Sequence, residues 1–382
     1  MKDPEDLDAL VNELNAEVPR STVPASDDGE TARLRGWLES VVARNASDLL
    51  LVAGAAPSIR IDGAITYLHE GPLGSDEIAD AVVAALPPHA RKAFREVGIA
   101  DGSFRVPDLG RFRINLHHER GRAAAAIRRL PSTVPRFASL GLPAGVDALT
   151  RLPRGLVLVG GPTGSGKTTT LAALVNEINL RDAKHIITIE DPIEYEHQHR
   201  RSVVEQVEIG IDAPDFPTAL RAALRQAPDV IVVGEMRDPE TMQIAVTAGE
   251  TGHLVFSSLH TTDVATTVAR IADSFPLERQ NTIRQELAMA LAAVLTQTLM
   301  PRATPSGGVI PAAELLMVGY GARQHVRKNA LHHLHQEITI TRKQGSFTLE
   351  ESLTDLVARG LIDRKDAITR AVHPEELERL LS

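Results

Sequence analysis

The chain has 382 residues, 43% of them hydrophobic and 24% charged, with 41 Lys+Arg against 50 Asp+Glu, a net charge of −9 and no cysteine. That is enough apolar material for two or three ordinary cores. It excludes a disulfide framework, a thiolate zinc site and a thiol nucleophile, and an acidic balance argues against coating nucleic acid through bulk charge. The opening Met1-Lys2-Asp3-Pro4-Glu5-Asp6 lacks the basic-then-apolar pattern of a signal peptide. Leu287–Leu295, one of the longest runs without strongly polar residues, falls far short of a membrane span. A soluble, cytoplasmic chain with no membrane insertion is expected.

Residues 1–31 hold nine acids and two bases and read as an acidic tail. Leu7, Leu10, Val11 and Leu14 have the spacing of a short amphipathic helix, and the Pro/Ser/Asp-rich stretch over 19–28 reads as a linker. A first α+β unit is expected over 32–130. Leu34, Leu38, Val41 and Val42 predict a helix, and Leu49–Val52 and Ser58–Ile61 predict strands. Asp62-Gly63 predicts a hairpin turn. Helices follow at 75–86 and 89–97, then strands at Ser103–Val106 and Arg111–Leu116. Pro131, Pro135, Gly141, Pro143 and Gly145 predict an interdomain linker over 131–150. From there the runs Leu156–Val159, Ile186–Ile189, Val230–Val233 and Leu254–Ser257 alternate with helical stretches, which predicts a parallel sheet with crossover helices over 151–300. The remainder, 301–382, is expected to be mostly helical, and Glu278–Leu299 and Glu350–Arg359 read as helices.

Gly161-Pro162-Thr163-Gly164-Ser165-Gly166-Lys167-Thr168 fits G-x-x-x-x-G-K-[ST] and is followed by Thr169 at the head of a helical pattern. Glycines let backbone N–H groups converge on phosphate oxygens, and the helix adds its positive end. Lys167 neutralises the β- and γ-phosphates, and the Thr168 hydroxyl is a ligand for Mg²⁺. Asp229-Val230-Ile231-Val232-Val233-Gly234-Glu235 is an apolar strand ending in a carboxylate, suited to orienting a water or holding Mg²⁺. Ile186–Ile189 repeats that design with Glu190, Asp191 and Glu194. Their bland alternative is capping of neighbouring helices. No Asn-Lys-x-Asp run for reading guanine occurs, so ATP is the expected nucleotide. His253 and His260 bracket a third polar-ended strand, where each is either a γ-phosphate sensor or a structural histidine. His332-His333-Leu334-His335 and His117-His118 lack the partner spacing of a metal site.

These motifs resemble the secretion superfamily of hexameric ATPases, which drive type II secretion and type IV pilus assembly and disassembly. The run 224–238 resembles its extended Walker B pattern, 189–194 its Asp box and 251–261 its His box. Within it the chain looks most like PilT-type pilus retraction ATPases, through Asn45-Ala46-Ser47-Asp48-Leu49, Gly110–Asn115, Ala126-Ile127-Arg128 and the absence of a tetracysteine module. The resemblance implies an α/β protein: a RecA-like P-loop ATPase core preceded by a PAS-like α+β N-terminal domain, with a helical C-terminal part, working as a homo-hexamer. It implies ATP and Mg²⁺ as cofactors, Glu235 as the catalytic glutamate, and Glu190, Asp191 and Glu194 as support for Mg²⁺ and water. It also implies that His253 and His260 couple the phosphate site to movement, and that Arg113 and Arg128 reach the phosphates as domains close. The partner it implies is an inner-membrane pilus platform protein, which would hold the chain at the membrane peripherally. The chain departs from the pattern at His117-His118-Glu119, at Val207 and in a degraded AIRNL-like segment near Val326-Arg327-Lys328-Asn329. An accessory PilU-like motor and a pilus-extension or type II secretion ATPase stay open as alternatives. A nucleic-acid motor would require a basic stripe with stacking aromatics, and aromatics are 3% of this chain. A hydrolytically weak regulatory subunit would not require the intact Lys167, Thr168 and Glu235.

Overall fold

The computed structural model describes residues 29–304 and 307–382. The helix expected around 7–14 and the linker expected over 19–28 lie outside them. The chain divides into two compact units: one runs to Thr133 and takes in Glu194–Glu196, and the other comprises Val134–Ile193 and His197–Ser382.

In chain order the first unit contains α1 (Gly29–Ala43), β1 (Asp48–Val52), β2 (Ser58–Ile61), β3 (Ala64–Tyr67), α2 (Ser75–Val83), α3 (Pro88–Val97), β4 (Ile99–Val106), β5 (Gly110–Glu119) and β6 (Arg122–Arg129). The strands form one antiparallel sheet in the order β3-β2-β1-β6-β5-β4. Ile61 pairs with Ala64 across Asp62-Gly63, both at positive φ, as a two-residue hairpin turn requires. Alternation decides the faces. Leu49, Leu51, Phe112, Ile114, Leu116 and Ile127 bury against Leu34, Trp37 and Leu38 of α1 and Ile78 and Val82 of α2. The opposite face carries a row in register, Arg60, Asp48, Arg128 and Arg113.

The second unit opens with two short 3₁₀ segments, Phe137–Ser139 and Ala144–Arg151. Then come β7 (Gly155–Gly160), α4 (Lys167–Arg181), β8 (His185–Glu190), β9 (Val203–Glu208), α5 (Phe216–Ala223), β10 (Val230–Val233), α6 (Pro239–Glu250), β11 (Leu254–Leu259), α7 (Val264–Asp273) and α8 (Leu277–Ala290). β12 (Leu291–Pro301), β13 (Val309–Met317), α9 (Tyr320–Arg327), α10 (Leu334–Ile340), α11 (Leu349–Ala358), α12 (Arg364–Arg370) and α13 (Pro374–Leu381) complete it. Seven strands lie in the order β13-β12-β7-β11-β10-β8-β9, parallel except for β13. Both faces of the inner strands are covered, so β7, β8, β10 and β11 read as near-continuous apolar runs, whereas the edge strand β9 does not. Leu156, Leu158, Ile231 and Val255 pack under α5 to α8, whereas Val157, Val159, Val230 and Phe256 pack against Leu171, Leu174 and Ile178 of α4. The architecture is a RecA-like α/β core.

Three expectations are corrected. Glu278–Leu299 is not one helix: α8 ends at Ala290 and the chain continues as β12. β12 lies between β7 and β13 and is buried on both faces, so it shows no alternation to separate it from a buried helix. The region after 300 is mostly helical, as expected, but the core does not end there: β13 pairs with β12 over nine residues and belongs to the core sheet. Nor is 131–150 a free linker. Val146 and Leu149 are fully buried in the core around α4, so that stretch from Val134 on is part of the second unit.

The C-terminal helices are fastened by apolar and ionic contacts. Met300, Ile310 and Ala312 of the last strands pack on Leu353, Leu356 and Leu377. His335 of α10 stands between two carboxylates, Glu314 of β13 (Nδ1 to Oε1, 3.9 Å) and Glu376 of α13 (Nε2 to Oε2, 3.1 Å), and its ring lies against that of His373. Glu314 and Glu376 together raise its pKa to about 9 despite partial burial. A raised pKa stabilises the fold fully below the unfolded value of about 6.5, and that contribution fades as pH rises through the folded value. The melting temperature of the protein is therefore expected to fall between pH 7 and pH 9.5, by the equivalent of about 1 kcal/mol or more. His335→Gln should lower it at pH 7 and flatten that slope; an unchanged slope would show that the His335 bridge does not contribute.

Candidate functional site

Register brings the site together. Gly160 of β7 lies opposite Leu259 of β11, Ser257 opposite Val233 of β10, and Val233 opposite Ile189 of β8. The residues that follow, Gly161, His260, Gly234-Glu235 and Glu190, therefore gather at the C-terminal edge of one parallel sheet, where open α/β folds bind ligands.

The loop over 161–166 leaves β7 under tight steric limits. A Cβ on Gly160 would come within 2.7 Å of the Thr261 and Thr267 hydroxyls, and one on Gly161 within 2.5 Å of the Gln297 carbonyl oxygen. Gly161, Gly164 and Gly166 all have positive φ, which favours glycine. The loop ends in α4, whose first residue is Lys167 and whose first turn also carries Thr168 and Thr169. Pro162, Thr163 and Gly164 are exposed, whereas Ser165 is buried with its Oγ lacking a hydrogen-bond partner among the described residues. Gly164 faces open space. This cradle of backbone groups at a helix N-terminus fits a phosphate.

Lys167 is folded back on its own loop. Its ammonium donates to the Gly161 and Pro162 carbonyls at 2.8 and 3.0 Å and stands 3.4 Å from His260 Nδ1. Burial pushes its pKa below the ordinary lysine range, and the charge of Glu235 opposes that shift. His260 Nε2 lies 3.6 Å from Glu235 Oε2, and Thr163 Oγ1 lies 3.4 Å from His260 Nδ1. With Nδ1 accepting from Lys167, the ring proton sits on Nε2 and faces Glu235. Arg237 holds the other carboxylate oxygen at 2.6 Å, and Glu235 raises the Arg237 pKa, helped by Asp191. Glu190 is fixed from beneath, accepting from Thr188 Oγ1 at 2.7 Å and Gln206 Nε2 at 3.2 Å. Thr168 and Glu190 offer hard oxygen ligands of the type Mg²⁺ prefers, with phosphates supplying the rest.

Not every expected residue joins this edge. His253 precedes β11, at the opposite end of the sheet, about 20 Å away along the strand. There its carbonyl accepts from Gly155 N, and its Nδ1 donates to the Ala248 carbonyl at 3.2 Å, a structural role. Glu194 groups with the first unit. Arg113 and Arg128 are direct cross-strand neighbours in that unit. Arg128 Nε donates to Asp48 Oδ1 at 2.9 Å, and Arg113 Nη2 lies 3.9 Å from Asp101 Oδ1. Two guanidiniums side by side repel, and Asp48 offsets part of that cost.

Sequence reasoning missed two participants. Arg237 stands two residues after Glu235 and was legible only as part of a longer motif. Gln297 lies beneath the loop, donating from Nε2 to the Ser165 carbonyl at 2.7 Å and accepting from Thr170 Oγ1 at 2.8 Å. The available signal was the polar triplet Thr296-Gln297-Thr298 inside an apolar run, since buried polar groups need partners.

Comparison with known proteins supports the same picture. Residues 111–375 match the family model described as Type II/IV secretion system protein. The Type IV pilus retractation ATPase PilT of Pseudomonas aeruginosa is 41% identical over 332 residues, 87% of this chain and 96% of that protein. The Type IV pilus ATPase PilU of the same species is 34% identical, over 90% of each chain. The crystal structure of the pilus retraction motor PilT with bound ADP superposes with a TM-score of 0.81 at 42% identity, covering 90% of this chain and 98% of that one. The chain belongs to the Type II/IV secretion system protein family.

Proposed function

We propose that the chain is an ATP-hydrolysing motor that works as a homo-hexamer and powers type IV pilus retraction. The observation that carries the reading is the Lys167–His260–Glu235 constellation beside a glycine-rich loop, in a chain 41% identical to PilT over 87% of its length. No helix among the described residues is long and apolar enough to cross a membrane. Contact with the inner membrane would accordingly run through a pilus platform protein.

In this reading the loop N–H groups and the head of α4 bind the ATP phosphates. Lys167 leaves the Gly161 and Pro162 carbonyls for the β- and γ-phosphates. Glu235 orients a water and accepts its proton as the water oxygen bonds to the γ-phosphorus and the bond to the β-phosphate oxygen breaks, releasing ADP and phosphate. His260, adjacent to both Lys167 and Glu235, reports whether the γ-phosphate is present. Thr168 would hold Mg²⁺, with Glu190 and Asp191 in support, and the ion would neutralise phosphate charge. Arg113 and Arg128 supply positive charge to the transition state when a first unit closes on a core, which ties hydrolysis to movement.

Glu235→Gln is expected to lower kcat by about 10²-fold or more while retaining ATP binding, as measured by steady-state hydrolysis and nucleotide titration. Equal rates for this variant and the wild type would contradict the assignment. Replacing Arg113 or Arg128 by Ala should lower kcat by about 10³-fold or more, with a smaller change in KM. Unchanged kcat would make these arginines structural. Deletion of the gene in its source organism, with surface pili counted, tests the biological role. Abundant pili without twitching are expected for a retraction motor, whereas bare cells would mark an extension motor and unchanged cells an accessory one.

A further inference from the structure

We propose that Gln297 is a positioning residue for the phosphate-binding loop, its carboxamide holding the Ser165–Gly166 peptide in the orientation that receives phosphate. The proposal rests on the loop being the nucleotide site.

Gln297 sits in mid-strand on β12, 4% exposed, next to Thr296, which pairs with Gly160 where β7 ends. One residue thus meets the loop at two places and the head of α4 at a third. Its backbone carbonyl closes the space beside Gly161, where a Cβ would lie 2.5 Å away. Its Nε2 donates to the Ser165 carbonyl at 2.7 Å. Its Oε1 accepts from Thr170 Oγ1 at 2.8 Å, one turn into α4. Nε2 also lies 3.2 Å from the place a Cβ on Gly166 would occupy.

The peptide plane links these contacts to function. In a trans peptide the carbonyl and the following N–H point in opposite directions. With the Ser165 carbonyl turned toward β12, the Gly166 N–H is turned away from β12, into the loop. The Lys167 ammonium also braces the loop, through the Gly161 and Pro162 carbonyls. That brace is released when the ammonium turns to phosphate, whereas the Gln297 contacts use no group that phosphate competes for. Gln297 is therefore the tether that persists in the bound state.

The amide is chemically specific here. The site needs a donor toward a carbonyl and an acceptor toward a hydroxyl within one planar group, which Gln supplies. Glutamate would set an oxygen against the Ser165 carbonyl and bury a negative charge beneath the phosphates. Methionine fills the same volume and leaves the Ser165 carbonyl unpaired.

The test is titration of the full chain with a fluorescent ADP analogue, together with KM and kcat for ATP and melting of the nucleotide-free protein. Gln297→Met is expected to weaken ADP binding and raise KM by about tenfold, from the loss of one to two net hydrogen bonds. kcat should change much less, and the nucleotide-free melting point only slightly. Gln297→Glu should bind more weakly still. ADP affinity and KM within twofold of wild type in Gln297→Met would overturn the proposal, as would a loss of melting temperature with affinity preserved. If Gln297→Met fails to fold, Thr170→Val removes one contact of the pair; an intermediate loss of affinity supports the proposal and an unchanged affinity overturns it. Wild-type protein that binds no ADP, or Lys167→Ala binding it equally well, would instead remove the nucleotide reading itself.

Discussion

Everything chemical in this chain depends on four parallel strands ending in phase. β7, β11, β10 and β8 are aligned so that a glycine loop, a histidine and two carboxylates leave the sheet side by side. The alignment is enforced by burial on both faces, because a one-residue slip would exchange the partners of every side chain in two cores. It is also enforced at the end of β7, where only glycine fits among Thr261, Thr267 and Thr296. Helices start soon after three of these strand ends. α6 and α7 are capped by Asp238 and Asp263, each accepting from a backbone N–H at 2.8 Å, and α4 opens after Gly166 in the left-handed conformation. Helix N-termini thus lie at the same edge as the loop, which favours an anion there before any side chain is counted.

Side-chain electrostatics refine that preference. Lys167, His260, Glu235 and Arg237 form a chain of contacts in which cationic and anionic groups satisfy one another. The burial that depresses the Lys167 pKa also strips its water, so a bound phosphate gains a strong partner without first displacing a hydration shell. Glu235 is shared between His260 and Arg237, which restrains the carboxylate beside the loop. The same edge therefore holds these groups in a mutually neutralised arrangement, which the proposed nucleotide would reorganise.

Residues with local signatures were legible in the sequence. The phosphate loop has fixed spacing, Val230–Val233 and Ile186–Ile189 are short apolar runs ending in acids, and Asp62-Gly63 announces its turn. What escaped depends on tertiary position. β12 looked like a continuation of α8 because a strand buried on both faces has no alternation to display, and β13 was lost with it. Val146 and Leu149 were hidden in a Pro/Gly-rich stretch that composition alone marks as linker. His253 and His260 have equal standing along the chain, yet the length of β11 separates them, and only His260 meets the loop. Gln297 joins residues 127 and 132 positions away in sequence, a pairing no local pattern encodes.

As a phosphate site, this sheet edge requires Lys167 to exchange partners when nucleotide binds. A crystal structure of the chain with a non-hydrolysable ATP analogue tests it most directly. Phosphates are expected on 161–167, with the Lys167 ammonium moved from the Gly161 and Pro162 carbonyls onto phosphate oxygens and Glu235 facing the γ-phosphate. An analogue bound elsewhere, or a Lys167 still resting on its own loop beneath a bound nucleotide, would contradict it.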